Sequence, residues 1–108
     1  MGVIKLDTTR NPWRVDATGG ALALPLVITT DLVTIDRLEW DSSGAAQGDA
    51  VEVTDSPPGV AAGSGRRQWA ASAQGADTYT WQRQKTVRPA QGLCVTTLTS
   101  GSLLIFYA

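Results

Sequence analysis

Two strand-length apolar runs close the chain, Leu93 to Leu98 and Ser102 to Tyr107, separated only by Thr99-Ser100-Gly101. Runs rich in Leu, Val, Ile and aromatic side chains suit a pleated surface, and a three-residue break ending in glycine suits a hairpin turn. Gly101 can take the left-handed conformation such a turn needs. Pairing Leu98 with Ser102 puts Cys94, Thr96, Leu104 and Phe106 on one face and Leu93, Val95, Leu103, Ile105 and Tyr107 on the other. Both faces are apolar. A two-layer sandwich buries one face of each sheet, so the second face calls for a cover. A loop, the N-terminal segment or a neighbouring subunit would each serve, and the pattern leaves the three open.

The rest of the chain also reads as strands. Thirteen Thr, eleven Gly and five Pro accompany short apolar runs, and no window carries apolar residues at helical spacing. Thr78 to Arg83 alternates most clearly, followed by Ala50 to Thr54 and Gln68 to Ala71. Between Leu32 and Trp40 the alternation breaks: Val33 and Ile35 share one face, Leu38 and Trp40 the other. One bulged residue would bring all four to the same side. Asp41 to Asp49 and the Pro/Gly-rich Asp55 to Gly65 read as loops, and Thr8 to Gly20 as an arm or crossing segment. At 108 residues and 11.4 kDa there is room for one core. The expected fold is all-β: a β-sandwich domain over residues 21–108, jelly-roll-like in one form, with an extended N-terminal arm over residues 1–20. A partly open barrel is the alternative.

Composition excludes much chemistry. The chain has no His and a single Cys, Cys94, which removes His-based triads, Cys–His dyads, Cys/His zinc sites and an internal disulfide. Nine basic residues against ten acidic give a net charge of −1, without the basic surplus of a nucleic-acid binder. No apolar run is long enough for a membrane helix, and the first residues lack a signal-peptide pattern, so a cytoplasmic origin is expected. Asp31, Asp36 and Asp41 alternate faces on a strand and cannot jointly hold one calcium; no metal or cofactor is expected. Cys94, in an apolar strand, reads as a buried thiol.

The remaining candidates point to binding. Four Trp are many for this length. Trp40, Trp69 and Trp81 lie on strands and suit a core, although aromatic platforms also stack on sugars and bases. Trp13 lies outside the strands, beside Pro12 and Arg14, and suits an anchor into a neighbour or a fold back onto its own sandwich. Arg10 and Arg14, the pair Arg66-Arg67, and the Leu103, Ile105 and Tyr107 face complete the candidate partner-binding residues.

Residues Val33–Asp55 and the ending Gly92–Ala108, which opens Gly92-Leu93-Cys94-Val95-Thr96-Thr97-Leu98-Thr99-Ser100-Gly101-Ser102-Leu103, resemble small β-rich virion structural proteins of tailed bacteriophages, in which a Gly-Leu-x-Val-x-x-Leu-x-x-Gly-x-Leu pattern closes the chain. The Ser56–Arg67 stretch departs from that group in its length and its Pro/Gly content. The resemblance implies a non-enzymatic capsid cement, or decoration, protein: a homotrimer on the capsid exterior that clamps neighbouring major capsid proteins. A tail, baseplate or fibre component binding host carbohydrate is the alternative.

Overall fold

The alternating and apolar segments among the described residues form strands, joined by Gly- and Pro-bearing stretches. The computed structural model describes residues 2–41, 46–57, 59–73, 81–84 and 89–107, with 81–84 described by backbone. The strands among them are β1 (Lys5–Asp7), β2 (Trp13–Asp16), β3 (Leu26–Val33), β4 (Ile35–Asp41), β5 (Ala50–Asp55), β6 (Arg66–Ser72), β7 (Trp81–Gln84), β8 (Ala90–Leu98) and β9 (Ser102–Tyr107). There is no helix among the described residues. One sheet has the order β1-β2-β9-β4-β7 and the other β3-β8-β5-β6. All pairings are antiparallel.

The pairings define the topology. β2 lies against β9, β3 against β8, β4 against β7 and β5 against β6. These are the rungs of one long hairpin with limbs β2–β5 and β6–β9. Rolled up, it adds the pairs β4–β9 and β5–β8 and splits into two four-stranded sheets, with β1 as an extra edge strand. This is a jelly roll, two antiparallel sheets packed face to face.

The core lies between the sheets. Val15, Leu38, Trp40, Leu103 and Ile105 of one sheet meet Val51, Val53, Leu93 and Val95 of the other, all essentially without solvent exposure. Burying side chains of this size contributes about 1.5–3 kcal/mol each relative to leaving them in water. The Trp40 Nε1–H donates to the Ser100 carbonyl at 2.9 Å, which satisfies the one polar atom of the largest core side chain.

Three sequence expectations are corrected or refined. The C-terminal runs do not pair as a hairpin, because β8 and β9 belong to different sheets. Thr99–Gly101 carries the chain across the core, so Leu98 lies opposite Val51 while Ser102 lies between Asp16 and Asp41. Gly101 is the required glycine, at φ +75°, where a Cβ would come within 1.9 Å of the Asp41 carbonyl oxygen. Local alternation is the same for a hairpin and for an arch between sheets; the apolar inner faces of both strands favour the arch. The N-terminal segment expected as an extended arm contributes strands to the sandwich, since β1 and β2 extend the five-stranded sheet and Val15 is fully buried against the core. Finally, Val33 and Ile35 do not share a strand, since Thr34 passes the chain from one sheet to the other. The expected bulge does occur, at Asp36, between the pairs Ile35–Tyr107 and Arg37–Phe106. It turns Ile35, Leu38 and Trp40 all inward.

Most of the Thr78–Arg83 stretch lies outside the described residues, as do the side chains of Trp81 and Arg83.

Candidate interaction surface

The alternation that sends Leu103 and Ile105 inward sends Ser102, Leu104 and Phe106 to the outer face of the five-stranded sheet. Cross-strand register builds rows around them. Leu104 lies between Arg14 of β2 and Glu39 of β4, and Ser102 between Asp16 and Asp41. Phe106 lies beside Arg37. The result is a half-buried apolar strip on β9 flanked by charged side chains, Arg14 exposed on one side and Arg37 half-buried with a buried Glu39 on the other, a layout that suits an association surface with an apolar centre and polar flanks.

The charges are held in place. Arg14 Nε donates to Asp16 Oδ1 at 2.8 Å and its terminal nitrogen to Ser102 Oγ at 3.3 Å, while Ser102 Oγ–H donates to the same Asp16 oxygen. Partial burial works against the Asp16 carboxylate, but the Ser102 hydroxyl and the Arg14 guanidinium together hold it below the usual carboxylate range. On the other flank Arg37 Nε donates to Glu39 Oε2 at 2.6 Å and a terminal nitrogen to Asp36 Oδ2 at 3.2 Å. Its guanidinium carbon sits 3.7 Å from the centre of the Phe106 ring, a cation–π contact. The hydrogen bond to Glu39 raises the Arg37 pKa above its already high ordinary value, so the cation persists at any relevant pH.

On the inward-facing side of the same sheet, beyond Ile105, the Trp13 and Tyr107 rings meet at 4.7 Å between centroids, tilted by 37°. Asn11 fixes the pair: its Nδ2 donates to the Tyr107 carbonyl at 2.8 Å, and its Oδ1 accepts from the Tyr107 N–H at 3.2 Å. Trp13 thus folds back on its own sandwich and packs half-buried against the core.

The sequence candidates are therefore dispersed. Arg14 lies on the outer face just described, Arg10 is exposed between β1 and β2, and Trp13 and Tyr107 form the aromatic pair. Leu103 and Ile105 are corrected from partner-binding to core, because the arch turns them inward with no exposed area. Arg66 and Arg67 belong to the other sheet, on its edge strand β6. Arg67 is tied there: its Nε donates to Glu52 Oε2 at 2.9 Å, and Thr96 Oγ1–H donates to Glu52 Oε1 at 2.6 Å. Sequence reading missed Leu104, Phe106, Arg37 and Glu39 as one surface. The alternation of β9 pointed to the first two, but only the pairing of β4 with β9 adds the others.

No group of three or more His, Cys, Asp or Glu gathers to hold a metal ion among the described residues. A cleft of about 520 Å³ opens beside β1, between residues 2–4 and 17–24, and only apolar and small polar residues line it. It offers no acid or base. Comparisons with protein-family models, with curated protein sequences and with solved structures find no match for this chain.

Proposed function

We propose that this chain is a non-enzymatic virion structural protein, a capsid cement protein that associates through the outer face of its five-stranded sheet. The observation that carries the reading is the strip of Leu104 and Phe106 between the charged pairs Arg14–Asp16 and Arg37–Glu39. Such a surface offers an apolar contact at its centre and oriented charges for register at its rim. The jelly-roll order adds support by fold-level analogy, since viral capsid domains use it; lectin domains use it too. The sequence resemblance to small phage virion proteins rests on turn and core positions and points the same way.

On this reading the protein sits as a homotrimer on the outside of a phage shell. It bridges neighbouring major capsid proteins by several contacts, each modest, that add through multivalency. Mixed with shells assembled from the major capsid protein of the same virion, the chain is expected to sediment with the shells and to raise the temperature at which they break open. A chain that stays in the supernatant, with shells unchanged, overturns the reading. Among the described side chains, Trp13 and Trp69 are half-buried and Trp40 fully buried, which favours the cement reading over the carbohydrate-binding alternative.

A further inference from the structure

The second apolar side of β8 is closed by the chain itself. Cys94 is fully buried, yet it lies outside the cluster between the sheets that contains its neighbours Leu93 and Val95. It faces the opposite side of β8, beside Val27 and Thr54 on the adjoining strands. Thr54 and Ser56 are buried there as well. Over this patch runs the β5–β6 connection, described at residues 56–57 and 59–65, which is the tip of the long hairpin.

Its attachments are few and specific. The Ser56 N–H donates to the Gly92 carbonyl at 2.8 Å, the Gly63 N–H donates to Ser56 Oγ at 3.2 Å, and the Ser56 and Thr54 hydroxyls lie 3.5 Å apart. At Gly63 (φ +83°) a Cβ would come within 3.2 Å of Thr96 Cγ2 and 3.4 Å of Pro25 Cβ, so the backbone rests directly on the sheet. Among its described residues Pro57 is half-buried, whereas Val60, Ala61 and Ala62 are exposed and contribute little cover. A segment held by hydrogen bonds and close backbone approach, with little apolar area buried by its own side chains, belongs to the part of a fold that opens first.

We propose that residues 56–65 form a strap, latched through Ser56, that opens as a local unit and uncovers the Cys94 side of β8 while the sandwich stays folded. The inference does not depend on the assembly reading. The chain's one cysteine reports it. Cys94 is reacted with an aromatic disulfide reagent across a urea series below the unfolding midpoint. The expected rate is nearly independent of urea and faster than global unfolding allows. Ser56→Ala is expected to label about three- to tenfold faster, the equivalent of one net hydrogen bond. Leu103→Ala, which weakens the core, is expected to lower the unfolding midpoint without a matching rise in the native labelling rate. Labelling that follows global unfolding, with its full urea dependence in the wild type, overturns the proposal whether or not Ser56→Ala folds.

Discussion

Leu103 and Leu104 are adjacent on β9, and their register against β2 and β4 assigns them to opposite faces. Leu103 is fully buried beside Val15 and Trp40, whereas Leu104 is half-buried between Arg14 and Glu39. Truncating a buried Leu to Ala loses its transfer free energy and leaves a cavity, about 2–5 kcal/mol in all. The same truncation at Leu104 removes part of a transfer term and leaves no enclosed void, about 1 kcal/mol. A domain of this length is stable by roughly 5–16 kcal/mol, so Leu103→Ala takes a large share of the total. In melting temperature the loss is about 10–30 °C for Leu103→Ala and about 4–8 °C for Leu104→Ala. Urea and thermal unfolding followed by the fluorescence of buried Trp40 measures both, at concentrations low enough that association adds nothing. Equal losses, or a greater loss at Leu104, refute the reasoning, because a one-residue slip of β9 exchanges its faces.

Other perturbations follow from the same geometry. Asp16, Asp7 and Asp49 are each held below the ordinary carboxylate range in the folded chain. The unfolded chain therefore binds more protons in acid: these groups contribute stability fully above their unfolded pKa of about 3.9, and lose it as pH falls through their lower folded values. Melting temperature is expected to hold from neutral pH to about 5 and to fall below about 4, less steeply in Asp16→Asn; an unchanged acid limb in that variant counts against the Ser102–Asp16–Arg14 network. Gly101→Ala forces a side chain against the Asp41 carbonyl at positive φ and is expected to cost more than about 1 kcal/mol in urea unfolding. A neutral result there contradicts the arch. Arg37→Ala is expected to lower the urea midpoint, and by less in a Phe106→Leu background, since the guanidinium stacks on that ring; strictly additive losses remove the cation–π contact from the account.

Much of the fold could be read from residue pattern because strands bounded by Gly and Pro leave a local signature. β5, β6, β8 and β9 each lie where alternation or apolar runs placed them. What alternation does not carry is which sheet a strand joins. The Thr99–Gly101 break looks the same whether the chain turns back beside itself or crosses the core, and β1 and β2 carry too few residues to stand out from an irregular arm. For the same reason Leu103 and Ile105 read as surface candidates when they are core. The interaction surface needs residues from β2, β9 and β4, far apart in sequence, and no local pattern brings them together. The two-sided apolarity of the C-terminal runs was the readable clue. It has two physical sources: a strap over Cys94 on β8, and an outer strip at Leu104 and Phe106 on β9.

That strip is the central claim, and the mass of the protein in solution tests it most directly. Light scattering on the purified wild type is expected to give three times the chain mass of 11.4 kDa. Leu104→Asp, which puts a charge at the centre of the outer face, is expected to return a single chain mass with an unchanged β circular dichroism spectrum. A wild type that stays monomeric at every concentration, or a trimer indifferent to Leu104→Asp, contradicts the account.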